Sequence, residues 1–274
     1  MRGLLNHLLL TLRLNLRNPQ ALVFGYLVPV FFLIAFGSVF GSTGDAMLRS
    51  LGKVLTIAML GSACFGLPIG IVSERERGVW RRYRVTPIGA WRILASTVVA
   101  RLLIMLSSGA LVVVVAGLGY GMPWPERPLS LLLAYTAGSL AFIGLGLAIA
   151  TLASSVAAVQ AMGQCLFLPM LMIGGIAIPL RMLPDWAQHA SRFMPGRYAV
   201  SVLDHSLLAN RSLGDAWFAL IALVVIGGCG TWAALRMPRW DEQPLGNRAV
   251  ATTLILVLSA WLATGLAAEI WRLG

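Results

Sequence analysis

The sequence predicts an all-α membrane protein of six or seven spans, and three observations carry that prediction. Hydrophobic residues make up 58% of the chain and charged ones only 11%, with a mean hydropathy of +0.83, which excludes an ordinary soluble domain. Apolar runs of span length recur from end to end, and 274 residues leave room for six or seven spans of ~20 residues each, with nothing sizeable left for a soluble domain. The formal charge of +11 is mostly arginine, Lys53 being the sole lysine, and the arginines gather at the ends of the apolar runs, as the positive-inside rule requires. A nucleic-acid partner would call for a basic face on a soluble scaffold, so none is expected; the lipid bilayer is the first partner.

The elements follow in order. In residues 1–18, Leu5, Leu8, Leu9, Leu12 and Leu16 share one helical stripe, with Asn6, Arg13 and Arg17 opposite and Leu10 and Leu14 partly spoiling the pattern. This predicts a helix lying in the membrane interface, limited by Pro19. Arg13, Asn15 and Arg17 interrupt the leucines and argue against a cleaved signal peptide. The first span is expected at about 21–40 with Pro29 inside it, and a short polar loop leads to a second at about 52–72. Gly66 and Gly70 form a small-xxx-small spacing in that second span, the pattern that permits close helix approach. The third span covers about 95–120, with Arg101 placed to snorkel to the cytosolic face. A turn, MPWPERP, then sets Trp124 at aromatic-belt depth.

The fourth span, about 129–153, and the fifth, about 157–180, meet at a small uncharged turn around Ser154 and Ser155. The fifth is the most broken and polar, with Gln160, Gln164 and Pro169. Such a helix suits a face toward a cavity or a partner subunit, and internal packing polarity accounts for it equally well. Residues 183–213 are too polar to span and too apolar for a free loop, which predicts one or two interfacial or re-entrant helices broken at Pro195-Gly196. A sixth span lies at about 215–235, a charged loop follows, and 249–268 forms a further apolar run. The whole reads as a single transmembrane domain, 1–274.

One stretch stands apart. Ser73 to Pro87, SERERGVWRRYRVTP, holds seven charges in fifteen residues between two apolar runs. Ser73 and Glu76 fit a capping box at a helix start, and Thr86-Pro87 fits a second start. The stretch is expected as a short basic helix and a corner leading back into the membrane, in a cytosolic loop of about 73–86. A solvated loop whose arginines fix topology and touch lipid headgroups fits the local sequence as well. Counting positive charges, an inside N-terminus puts 13 of the 21 Lys and Arg on the inner side, so the N-terminus is expected inside and, after seven spans, the C-terminus outside.

Two absences narrow the chemistry. No phosphate-cradling GxxxxGK[ST] occurs, and no Asp, Glu or His falls inside an expected span, Asp215 standing only at the edge of the sixth, which disfavours a self-powered proton-coupled carrier. Cys64, Cys165 and Cys229 lack metal or disulfide spacing and read as small hydrophobes. His189 near Asp185, and His205 beside Asp204, are the sole candidates for hydrolytic or metal chemistry, and an isolated His–Asp adjacency is far more often plain surface polarity. The remainder is a scaffold without its own motor.

At these residues the chain resembles the transmembrane permease subunits of ABC-2 type ATP-binding-cassette exporters. The N-terminal amphipathic helix resembles that family's interface helix. ERERGVWRRYRVTP resembles its loop of the type E-R/K-E-R/K-G-T-L-x-x-L-x-x-T-P, which holds the coupling helix that docks on the ATPase. LPDWAQHASRFMPGRYAVSVL resembles its outer re-entrant segment. Glu74, Glu76, Gly78, Thr86 and Pro87 stand at the motif positions, whereas Val79 replaces the usual Thr and Tyr83 the usual Leu.

The resemblance implies a six-span ABC-2 helical bundle, here with the run 249–268 as an added seventh span, in a bacterial inner membrane. It implies ATPase docking through Glu74, Arg75, Glu76, Arg77, Gly78, Arg82, Thr86 and Pro87. It also implies a second permease copy or paralogue, and ATP-Mg bound on the ATPase subunits, with no cofactor on this chain and no catalytic site of its own. The uncharged interior points to a lipophilic or amphipathic cargo, with Gln160, Gln164, Pro169, Trp186 and Tyr198 as candidate path residues. A polysaccharide or glycolipid exporter, and a non-transporting assembly or sensor subunit, are the alternatives.

Overall fold

The structure, a computed structural model, describes residues 12–13, 19–40, 43–80, 90–208, 213–236 and 247–270. The expected interface helix, apart from Leu12 and Arg13, lies outside the described residues. So do Arg82, Thr86 and Pro87, and the charged loop 237–246.

All regular structure among the described residues is helical. α1 comprises Pro19–Leu22, a π-helical turn Val23–Leu27, and Val28–Phe40. α2 runs unbroken through Gly44–Gly61, a second π turn Ser62–Gly66, and Leu67–Glu76. α3 is Ala90–Tyr120, α4 Pro128–Leu152 and α5 Val156–Ile173. The short helices α6, Asp185–Ser191, and α7, Pro195–Leu207, precede α8, Trp217–Arg236, and α9, Asn247–Ile270. Six described helices (α2, α3, α4, α5, α8 and α9) are long and apolar enough to cross a membrane; the apolar part of α1, Val23–Val39, is shorter.

The apolar window of α2 is 94% buried, against 28% for α5, so α2 is the axis of the bundle and α5 stands at its open side. α2 starts eight residues earlier than the apolar run suggests. Met47, Leu51, Val54 and Leu55 continue its buried stripe while Arg49 and Lys53 leave on another face, so amphipathic spacing extends the helix past the uncharged core.

Glycine does bring helices together, but not at the expected pair. A Cβ on Gly70 would meet nothing within 4 Å, and one on Gly66 would meet the Arg101 guanidinium at 2.9 Å. The closest backbone approach joins α4 and α8: a Cβ on Gly227 would stand 2.3 Å from Ala141 Cα, and one on Gly144 would overlap the Gly227 carbonyl. Arg101 does not snorkel. It is 2% exposed, because its helix begins at Ala90 and carries position 101 into the bundle, against the π turn of α2.

The two π turns face each other. Phe24 stacks on Phe65 with ring centroids 4.5 Å apart, and Phe65 packs on Phe167 of α5 at 5.6 Å. A π turn displaces a carbonyl from the i→i−4 ladder, and the Ser108 hydroxyl of α3 donates to the Gly25 carbonyl.

Candidate functional site

The charged stretch begins as the last turn of α2, not as a helix start. The Arg77 N–H donates to the Ser73 carbonyl (3.0 Å) and the Gly78 N–H to the Arg75 carbonyl (2.9 Å), and Gly78 has φ +68°. This is the left-handed residue that closes a helix C-terminus. A Cβ at Gly78 would meet nothing within 4 Å, so conformation and not space selects glycine there. The apolar register of α2 carries helical hydrogen bonding through Ser73–Glu76, which overrides the capping box. Beyond Gly78 a new helical turn starts at Val79 and Trp80.

Arg75 and Glu76, in the last turn of α2, tie three helices together. Arg75 is 3% exposed. Its Nη1 donates to the Ala150 carbonyl (3.1 Å) and its Nη2 to the Ala153 carbonyl, both at the C-terminal end of α4, where carbonyls lack intrahelical partners and a cation is favoured. The Glu76 carboxylate accepts from the Val156 N–H at 2.9 Å. Val156 is the first residue of α5, an end that favours an anion. Ser155 completes this cap, its hydroxyl accepting from the Ala158 N–H at 3.1 Å. Neighbouring residues of opposite charge thus close opposite helix ends across the Ala153–Ser155 turn. Glu74 is half-buried beside Trp80, itself 6% exposed, and Glu76 and Arg77 are exposed.

Of the predicted docking residues, Glu74, Arg75, Glu76, Arg77 and Gly78 therefore converge on this α2–α5 corner, with Arg75 facing inward. Arg82, Thr86 and Pro87 fall outside the described residues. The sequence reading missed the helix-capping roles of Arg75 and Glu76. Their signal was present as adjacent opposite charges at a span end, together with a later interhelical turn that has no charge of its own.

The candidate path residues differ in exposure. Gln160 and Gln164 lie on the exposed face of α5 and Pro169 is half-buried in it. Trp186 is 67% exposed on α6. Tyr198 is 2% exposed and its hydroxyl donates to the Arg192 carbonyl, because α7 turns that side of the helix into the core. Burial pushes the Tyr198 phenol up to about 12 and holds the Arg197 guanidinium below its ordinary range.

The same region fastens α9. Glu269 accepts from His189 Nδ1 at 2.9 Å and pairs with Arg192, and the Trp261 indole donates to the Phe193 carbonyl. His189 therefore pairs with Glu269 and not with Asp185, while His205 Nδ1 meets the Ser201 carbonyl at 2.7 Å. Among the described residues no His, Cys, Asp and Glu cluster has metal-binding geometry.

Compared with known proteins, the chain matches the sequence profile of the ABC-2 type transporter over residues 9–208. That match takes in α1 to α7 and stops before α8 and α9. A comparison with curated proteins finds no match. The profile covers most of a helical membrane bundle, and the chain belongs to the ABC-2 type transporter family as a multi-pass, membrane-spanning permease component.

Proposed function

We propose that this permease is the membrane half of an ATP-driven exporter and that its α2–α5 corner is where a separate ATPase subunit grips it. The observation that carries the reading is the pair of links from Arg75 and Glu76 to the ends of α4 and α5. A force applied at Glu74, Arg77 or the turn after Gly78 reaches three helix ends through short, charge-assisted bonds, which are about twice as strong as neutral ones. Closure of an ATPase dimer around ATP-Mg would then tilt α2 and α5 together. α5 is the least buried of the candidate spans and carries two glutamines on its open face, which suits a second permease copy across it.

In this reading the corner and the N-terminus are cytoplasmic, the membrane is a bacterial inner membrane, and the cargo is lipophilic or amphipathic. Burial of Tyr198 removes one of the two outer aromatics that a polysaccharide path would use, which favours the amphipathic cargo. The test is co-purification with the native ATPase after joint reversal of Glu74 and Arg77. Loss of the ATPase with the permease still monodisperse is the expected result. Retention of the ATPase, or ATP hydrolysis by the permease alone, overturns the proposal.

A further inference from the structure

At the end of the bundle away from the corner lies a cavity of about 870 Å³, between the first turns of α2, the segment after α5, and α7. Its charged lining is Arg49 and Lys53 from α2, Arg181 from the turn Leu180–Met182, and Asp204 from α7; Thr43 and Ser50 add hydroxyls. Three cations thus surround one carboxylate. Asp204 is pressed onto the α2 backbone, where a Cβ on Gly52 would stand 2.4 Å from its Oδ1, and its charge and that of Arg181 both act on half-buried Lys53. Arg49 and Arg181 are exposed to the cavity side of the molecule, and neither forms an ion pair among the described residues.

The lining leaves a surplus of two positive charges, its three cations held on two separate elements. A phosphate monoester brings about −1.5 to −2 charges and three acceptor oxygens, which matches that surplus. Planar guanidinium forks suit phosphate geometry and an ammonium serves as a point charge. The volume falls in the range of about 300–1,000 Å³ typical of sites for drug-sized molecules, so more than a bare ion fits.

We infer that this cavity binds the phosphate head of an anionic amphiphile, with Arg49 and Arg181 as the oxygen-binding forks and Lys53 as the interior charge. The inference rests on the export reading for its cargo and names that cargo's head. Asp204 acts against binding, by offsetting one cation and holding Lys53 in place.

The test uses the full chain in phosphatidylcholine nanodiscs with labelled lysophosphatidic acid as probe and lysophosphatidylcholine as control. The wild type should bind the phosphate monoester at least tenfold more tightly than the control. Arg49→Gln with Arg181→Gln should weaken binding tenfold or more, the double Lys variant should recover most of it, and Asp204→Asn should tighten it two- to threefold. Loss in one variant and gain in another separates the site from mere misfolding. Displacement by millimolar inorganic phosphate supports a site for the free head; binding that survives it supports a lipid source. Equal binding of probe and control, or affinities unchanged in both the double Gln and the Asp204 variants, overturns the assignment. Because no ATPase is present, this can fail while co-purification at the corner succeeds, and the reverse.

Discussion

Replacing Arg75 with Met tests the corner in the most direct structural way. The side chain keeps its bulk but loses both donors, leaving the Ala150 and Ala153 carbonyls without the guanidinium that bridges them. A hydrogen bond to a charged group contributes about 1.5–3 kcal/mol, and removing a buried cation recovers part of its desolvation cost. Two such bonds, less that recovery, put the net loss at about 2–4 kcal/mol. For a chain of this size about 1 kcal/mol shifts the melting temperature by about 2–4 °C, so a fall of about 5–15 °C is expected. The assay is thermal unfolding of the detergent-solubilised permease followed by tryptophan fluorescence. Arg75→Lys supplies a point charge without the fork and should fall between the two. A Met variant that melts with the wild type, or a Lys variant that restores it fully, refutes the bridging role.

Other outcomes follow from single positions. Gly78→Val forces a β-branched residue to φ +68°, so it should lower stability by about 1–2 kcal/mol, while Gly78→Asn, which tolerates that conformation, should cost less in the same melting assay. Gly66→Ala puts a methyl 2.9–3.2 Å from the Arg101 guanidinium and should lower the melting temperature, whereas Gly70→Ala, facing open space, should not. Tyr198→Phe removes the donor to the Arg192 carbonyl and should cost about 1 kcal/mol. The raised Tyr198 pKa favours the protonated phenol in the folded state. Its contribution is therefore whole below the ordinary value of about 10 and lost as pH rises through about 12. Alkaline melting curves of wild type and Tyr198→Phe should converge across that window.

Much of the architecture was legible because apolar length and arginine placement are bulk properties of the chain. α3, α4, α8 and α9 fall close to where their apolar runs do, and the break at Pro195 separates α6 from α7. The failures are local decisions settled by tertiary contact. Ser73–Glu76 satisfies a start signal and forms an end, since capping chemistry is symmetric in residue type until the preceding helix is known to continue. Arg101 reads as a snorkelling residue on an isolated helix, and only the packing of the α2 π turn shows it enclosed. The π turns leave no sequence mark at all. Arg75 and Glu76 stand out in the sequence for their charge, but which helix ends they serve depends on α4 and α5 arriving some 75 residues later in the chain.

The central claim is that an external motor holds this scaffold at the exposed end of α2. A photo-crosslinking amino acid at Arg77, in the complex as assembled in cells, tests it most directly. The account predicts a covalent adduct with an ATPase subunit from position 77 and none from Arg49 at the opposite end. An adduct from Arg49 alone, or labelling of position 77 by an impermeant reagent added outside intact cells, contradicts it.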